Sequence, residues 1–370
     1  MIHHRHWGLA ALLLAGTAAM TTATPANGAK PTVIRGSATP TVTVFSTGFN
    51  NPRGLKWGPD GMLYVAEAGS GGTNSTVGQC QQVPAPVGPY TGSPTGGRIS
   101  RVDSNGNRST LTDQLPSSNA NPAIGGDVEG VADVAFIGST LYALVAGGGC
   151  GHGVPSKPNG VYRISASGTP TLVADLGAFQ HAHPTDHTNP GDFEPEGTWY
   201  SMVARNGLLY ALEPNHGELD RVTPAGAISR VVDISASQGH IVPTALATHG
   251  TFYVGNLGLF PITPGSSKIM QATPGGQLHT VATGLTTVLG LAFDQQARMY
   301  VLEMTATPGF PAPAAGALVR ISANGKKETL VSGLDFPTGM TFGPDGALYV
   351  SAFGLGPPGA GQVLRIRIDD

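Results

Sequence analysis

The chain has 370 residues, of which 20 are Lys or Arg and 23 are Asp or Glu, and its formal net charge at pH 7 is −3. A charge this small and balanced argues against nucleic acid as a partner. The sequence also lacks a cationic amphipathic helix of the kind that binds membrane surfaces. We therefore expect a monomeric globular protein that binds neither nucleic acid nor a membrane surface.

The chain begins with the pattern of a secretory signal peptide, which we assign to residues 1–29. Basic residues at positions 3–6 precede an apolar run at residues 9–16, and small residues follow. The apolar run is too short to span a bilayer. We expect cleavage between residues 19 and 29, a flexible segment at residues 30–40, and a secreted or otherwise extracytoplasmic product without a membrane span.

A sequence unit recurs six times in the remaining chain, residues 41–370. Each unit has an apolar strand, a tight turn and a second strand with an anchor tyrosine, at Tyr64, Tyr142, Tyr210, Tyr253, Tyr300 and Tyr349. The first and last turns read Gly-Pro-Asp-Gly, at residues 58–61 and 343–346, as in a β-hairpin. A third and a fourth strand follow. Short strands repeating every roughly 40 to 50 residues predict an all-β domain, a six-bladed β-propeller of four-stranded antiparallel blades.

The last unit has no fourth strand of its own. Its third strand lies at residues 362–366, close to the end of the chain. An unassigned strand at residues 41–45 resembles the fourth strands of the other units. We expect this N-terminal strand to complete the last blade, because closure of the ring removes an exposed sheet edge.

The sequence contains two cysteines, Cys80 and Cys150. Each follows the second strand of its unit, so the two loops are equivalent and emerge on the same face of neighbouring blades. Outside the cytoplasm, paired cysteines are usually oxidised. We predict a disulfide between them; two separate thiols are the alternative.

The loops after the second strands are long, and they mark one face of the propeller as the binding face. Two repeat positions place polar groups near the axis on this face. One position, at the end of the second strand, holds Glu67, Val145, Glu213, Asn256, Glu303 and Ala352. The other, before the first strand, holds Arg53, Glu129, Glu196, Pro243, Leu289 and Thr338.

Oxygen ligands clustered at the mouth of the channel would suit Ca²⁺ or another divalent cation. The predicted metal ligands are Glu67, Glu129, Asn256 and Glu303. The alternative is that Arg53 and backbone amides satisfy these carboxylates and water fills the channel.

Histidines form a second candidate cluster on the same face. They are His181, His183 and His187 in one loop, and His152 and His216 in others. Such a set could bind zinc, although exposed loop histidines are common. In the segment at residues 213–218, His216 could act as a base near Glu213, or the segment could be a hydrogen-bonded turn. The predicted ligand-binding residues are Arg53, Glu196, Glu213, Asn215 and His216.

Several motifs together resemble one family. They are the signal peptide, the six units, GDFEPEG at residues 191–197, EPNHGELDRV at residues 213–222 and GHIVPT at residues 239–244. This combination resembles the ScyD/ScyE family of secreted propeller proteins over essentially the whole mature chain. The resemblance implies a secreted six-bladed propeller, and it implies no particular reaction or catalytic residue.

Two classes of function follow from these patterns. The first hypothesis is a binding or scaffold protein whose long-loop face contacts a small molecule, a polymer or a protein, since the sequence has no known catalytic motif. The alternative is a metal-dependent enzyme similar to six-bladed lactonases and lyases, with a Glu/Asn site at the channel mouth. A quinone-dependent sugar dehydrogenase is a more distant option on the same fold.

Overall fold

The computed structural model describes residues 32–33, 40–121, 127–273 and 275–368. These residues form six antiparallel sheets arranged as the blades of a propeller. The predicted signal peptide, residues 1–29, lies outside the described residues, as does most of the segment at residues 30–40. No helix in the described ranges is long and apolar enough to cross a membrane.

The first three blades follow one another in chain order. Blade 1 contains β3 (Pro52–Trp57), β4 (Leu63–Glu67), β5 (Thr91–Val102), β6 (Arg108–Asn119) and a short outer strand, β7 (Val128–Glu129). Blade 2 contains β8 (Val131–Ile137), β9 (Thr140–Val145), β10 (Gly160–Ile164) and β11 (Pro170–Asp175). Blade 3 contains β12 (Ser201–Arg205), β13 (Leu208–Glu213), β14 (Glu218–Val222) and β15 (Ile228–Asp233).

The last three blades include both N-terminal strands. Blade 4 contains β16 (Pro243–His249), β17 (Thr251–Asn256), β18 (Ser267–Ala272) and β19 (Leu278–Leu285). Blade 5 contains β20 (Val288–Phe293), β21 (Met299–Glu303), β22 (Gly316–Ile321), β23 (Lys327–Leu334) and the outer β1 (Thr32–Val33). Blade 6 contains β24 (Gly339–Phe342), β25 (Leu348–Ala352), β26 (Gly361–Arg367) and β2 (Thr41–Phe49). Within the described ranges, the helical segments are α1 (Leu176–Ala182), α2 (Ser235–Gln238) and a three-residue 3-10 helix, Cys150–His152.

The N-terminal strand closes the ring as the sequence predicts. Strand β2 pairs antiparallel with β26, with Val42 opposite Ile366 and Val44 opposite Leu364. Phe49, at the end of β2, is fully buried in a core shared with blade 1. The two ends of the domain therefore depend on each other.

The hairpin repeat has a physical cause beyond the turn itself. In blade 1 the hydroxyl of Tyr64 donates to Oδ2 of Asp60 at 2.8 Å, so the anchor tyrosine binds the aspartate of its own turn. Tyr349 and Asp345 repeat the contact in blade 6 at 3.1 Å. Gly61 follows Asp60 with φ of 78°, a conformation that glycine adopts without a steric penalty.

Two short strands extend the sheets in ways that the repeat does not predict. In blade 5, Thr32 pairs with Ser332 of the outer strand β23. In blade 1, strands β5 and β6 are both 12 residues long, and Glu129 of β7 pairs with Ser118 at the far end of β6. This extension carries Glu129 to the long-loop face.

A candidate metal centre at the channel mouth

Three acidic or imidazole side chains meet on the long-loop face near the start of blade 2. Glu129 is supplied by β7, His152 by the 3-10 helix, and Glu194 by the loop between α1 and β12. One ligand atom from each lies within 4.8 Å of the other two, so the three can hold a metal ion. We call these three residues the triad. All of them are buried, with His152 at 0% and Glu194 at 1% exposure.

His152 lies between the two carboxylates of the triad. Its Nε2 is 2.9 Å from Oε2 of Glu129 and 3.4 Å from Oε2 of Glu194. Donor atoms that share one ion, with bonds of about 2.0–2.2 Å, lie roughly 3 to 3.5 Å apart. The spacing of these atoms therefore fits a common cation.

Tyr90 forms a wall of the triad. Its hydroxyl lies 3.4 Å from Oε1 of Glu129 and 3.4 Å from Oε1 of Glu194, and its ring packs 4.8 Å from the imidazole of His152. Burial, reinforced by the charges of the two glutamates, raises the pKa of Tyr90 well above its usual value. Tyr90 therefore stays protonated and donates to the carboxylates.

The electrostatics of the triad show an excess of negative charge. Glu196 adds a third carboxylate, with Oε2 at 3.7 Å from Nδ1 of His152. Burial and then the charge of Glu129 raise the pKa of Glu194 well above its usual value, although His152 opposes this. Burial lowers the pKa of His152, but the three glutamates outweigh it and raise that pKa well above its usual value. One imidazole thus faces three carboxylates.

Several buried atoms of this cluster have no hydrogen-bond partner among the described residues. They are Oε2 of Glu194, Oε2 of Glu196 and Nδ1 of His152. Most buried polar groups in proteins are paired, and an unpaired buried carboxylate oxygen is costly. An ion or an ordered water would satisfy these atoms.

One residue of the triad, Glu129, lines a small cavity between the blades. The cavity has a volume of about 30 Å³, and its wall includes Glu129, Arg53, Trp199, Met304 and Leu355. This volume accommodates one or two water molecules. Glu129 is thus the triad residue that contacts this cavity.

Of the four predicted metal ligands, the triad contains only Glu129. Glu67 instead binds Arg98 through two hydrogen bonds of 2.9 and 2.5 Å, within its own blade. Glu303 accepts a hydrogen bond from the amide of Thr286. Among the described residues, the group able to hold a metal includes neither Glu67 nor Glu303.

The fourth predicted ligand, Asn256, is also engaged within its own blade. Its Nδ2 donates to the carbonyl of Ile241 and its Oδ1 accepts from the amide of Lys268. Backbone amides thus bind Glu303 and Asn256, as in the alternative, whereas the side-chain partner of Glu67 is Arg98 and not Arg53.

Arg53 holds neighbouring blades together. It donates to the carbonyl of Gly354 in blade 6, to Oδ1 of Asp127 at 3.1 Å and to the carbonyl of Val128 at 2.8 Å. Burial raises the pKa of Asp127 to about 6, although Arg53 lowers it. Arg53 therefore fixes the segment that leads into Glu129.

Glu213, Asn215 and His216 form a second layer behind Glu194. Oε1 of Glu213 accepts from the amide of Asn215 at 2.9 Å, and Oε2 accepts from the amide of His216 at 2.5 Å. Oδ1 of Asn215 then accepts from the amide of Glu194 at 2.9 Å. Nε2 of His216 lies 2.8 Å from the carbonyl of Glu194. The turn thus positions the backbone of a triad residue.

The sequence patterns single out part of the triad only indirectly. His152 belongs to the predicted histidine set, whereas His181, His183 and His187 of that set are exposed and lie outside the triad. Glu194 appears only inside the motif at residues 191–197. Its pairing with Glu196 across a single proline is the signal that could have indicated a ligand.

The predicted disulfide is present. Cys80 and Cys150 are bonded across neighbouring blades, with their Cα atoms 6.3 Å apart. Cys150 is the first residue of the 3-10 helix that carries His152. The bond therefore joins the long loop of blade 1 to the helix that carries the triad residue His152.

The chain matches no protein-family model and no curated protein. Among solved structures, it is similar to a gluconolactonase from Xanthomonas campestris, with 13% identity, coverage of 95% of this chain and 99% of that one, and a TM-score of 0.56. A Thermus thermophilus protein assigned as a glucose dehydrogenase shows 18% identity, 89% and 100% coverage, and a TM-score of 0.54. At these identities the likeness concerns the propeller fold alone.

Proposed function

We propose that this chain is an extracytoplasmic, metal-dependent enzyme of the lactonase or lyase type, with Glu129, His152 and Glu194 as metal ligands. The observation that carries the proposal is the buried Oε2 of Glu194, which has no hydrogen-bond partner among the described residues and lies 3.4 Å from Nε2 of His152. A cation held by the triad would satisfy this atom and offset the excess negative charge. This arrangement supports the enzyme hypothesis better than the scaffold hypothesis.

The donor types favour a transition-metal ion over calcium. Ca²⁺ prefers shells made of oxygen ligands, whereas imidazole nitrogen suits Zn²⁺ and related ions. Catalytic zinc sites typically use three protein ligands and keep a further position for water or substrate. We therefore take Zn²⁺ as the first ion to test.

A divalent ion at such a site polarises a carbonyl oxygen and lowers the pKa of bound water. The surrounding side chains have separate roles. The negative charge of Glu196, 3.7 Å from Nδ1 of His152, favours a proton on that nitrogen, which leaves Nε2 for the ion. Asn215 fixes the backbone of Glu194, and the buried ring of Tyr90 excludes bulk water.

The lactonase class is taken from the fold neighbours as a reaction to test. A gluconolactonase is among the structures that share the propeller, and lactone hydrolysis is a reaction that a carbonyl-polarising ion can assist. The disulfide between Cys80 and Cys150 supports an extracytoplasmic location, because such bonds persist in oxidising compartments. Membership of the ScyD/ScyE family stays part of the same proposal.

Elemental analysis of three purified proteins tests the site. After equilibration with Zn²⁺ and removal of free ion, we expect one equivalent in the wild type and in Glu303→Gln, and a large loss in Glu129→Gln. Glu303→Gln is a matched control, since it removes a predicted ligand that lies outside the triad. Equal metal content in all three proteins would show that the ion binds elsewhere.

Activity is then measured on the same three proteins. We expect EDTA-sensitive hydrolysis of lactones, such as glucono-1,5-lactone and simple δ-lactones, in wild type and Glu303→Gln but not in Glu129→Gln. A cavity of about 30 Å³ holds water but no lactone, so a binding or scaffold protein is the second candidate. A wild type that binds no metal and hydrolyses no lactone would leave that second function preferred.

A further inference from the structure

The metal ligand His152 is held in place by a segment of the neighbouring blade. Residues 73–90 of blade 1 cross over to the 3-10 helix Cys150–His152, and we call them the cover segment. The helix itself is one turn long and has no side-chain cap at its N-terminus. A single short turn has little stability of its own, so its position depends on outside contacts.

The cover segment contacts this helix at several points. Cys80 is bonded to Cys150, and the hydroxyl of Thr76 donates to the carbonyl of Cys150. At its far end, Tyr90 packs against the imidazole of His152. The covalent bond and the aromatic contact thus hold both ends of the helix.

The cover segment has its own small core. Val83, Val87, Tyr90 and Ala120 are buried together, apart from the cores between blades. The disulfide is the covalent cross-link between the cover segment and the helix.

We propose that the Cys80–Cys150 disulfide is a positioning element of the metal centre, which keeps Nε2 of His152 within reach of Glu129 and Glu194. The inference rests on the proposed function, since it requires that the triad binds an ion. His152 follows Cys150 by two residues, so displacement of Cys150 moves the ligand atom. Metal–ligand distances tolerate changes of only about 0.2 Å, so even a small displacement weakens binding.

The test measures Zn²⁺ and Mn²⁺ affinity of the folded full-length protein by calorimetry. Three samples are compared, namely oxidised wild type, the Cys80→Ser/Cys150→Ser double variant, and Val254→Ala. The double variant removes the bond without adding thiols that would bind zinc. Val254 is fully buried in blade 4, so Val254→Ala lowers general stability while leaving the cover segment intact. We expect at least a tenfold weaker affinity in the double variant and an unchanged affinity in Val254→Ala.

Reduction provides a second measurement on the wild type with Mn²⁺, which thiols bind weakly. A phosphine reductant supplies two electrons, two protons from water complete the two thiols, and the phosphine becomes its oxide. We expect the affinity to fall on reduction and to return on reoxidation, with no such effect in the double variant.

The outcomes separate the inference from the proposed function. Equal affinity in the oxidised wild type and the folded double variant would overturn the positioning role and leave the metal site intact. A fall in metal affinity of the same size in Val254→Ala would assign the effect to general stability. That result would also overturn the positioning role. Absence of metal binding in the oxidised wild type would overturn the proposed function itself.

Discussion

When no metal is bound, protons on the triad offset part of its negative charge. Burial raises the pKa of Glu194, and neighbouring carboxylates raise that of His152, so the cluster holds protons that an unfolded chain would release. A cation would replace those protons. Metal affinity and pH are therefore linked at this site.

The first prediction concerns the pH dependence of the metal-free protein. For both Glu194 and His152 the folded pKa lies above the unfolded one, so their contribution to stability is lost as pH rises. The loss begins above the usual values of 4.5 for Glu194 and 6.5 for His152. In EDTA, we expect the melting temperature to fall between about pH 5 and pH 8, and to fall less in Glu194→Gln.

The measurement is a series of thermal melts in EDTA, with Glu328→Gln, a carboxylate of β23 outside the triad, as the control. Burial raises the pKa of Asp127 to about 6, which adds a slope of the same sign in every variant. The comparison with Glu194→Gln isolates the triad. Parallel slopes in wild type and Glu194→Gln would contradict the charge distribution described for the triad.

The sequence predicts individual members of the triad poorly for a physical reason. The repeat does predict Glu129, because this residue occupies a repeat position near the axis. His152 and Glu194 lie on insertions whose paths depend on contacts between loops of different blades, and no local pattern encodes those paths. The same limit explains Glu67, whose partner Arg98 lies 31 residues away on the next strand.

At the scale of elements, the hairpin pattern predicts the blades well. Its turn and anchor tyrosine form contacts within one unit, such as Tyr64 with Asp60. The short strands β1 and β7 were not predicted, because each has only two residues and exists through pairing with a distant strand. Local sequence therefore predicts the repeating strands, whereas the short strands β1 and β7 depend on long-range pairing.

The second prediction concerns closure by β2. Deletion of residues 41–49 would leave β26 as an open edge and remove Phe49 from the core that joins blades 6 and 1. We expect a lower melting temperature, a broader transition and aggregation, as measured by calorimetry and light scattering. A matched deletion of residues 1–31 should not have these effects. If the protein lacking residues 41–49 melts like the full chain, strand sharing does not stabilise the ring.

At the scale of the whole molecule, the triad and its neighbour Tyr90 bring together segments of blades 1, 2 and 3. Tyr90 and Glu129 come from blade 1, His152 follows a strand of blade 2, and Glu194 leads into blade 3. Arg53 links the same region to blade 6. An ion at the triad would therefore connect segments that the sheets themselves do not join.

The last prediction follows from this connection. An ion that binds only the folded state stabilises it by mass action, by about 2.7 kcal/mol at a free concentration of one hundred times Kd. Blades 4 to 6 contribute no residue to the triad. The added stability against local opening should therefore concentrate in blades 1 to 3. Hydrogen exchange with and without Zn²⁺ should show increased protection at residues 73–90, 149–153 and 189–197, and little change in β17 or β21. Uniform protection across all blades would mean that the ion stabilises the fold only against global unfolding. Unchanged exchange everywhere would mean that the triad is a cluster of carboxylates and imidazole that shares protons and binds no metal.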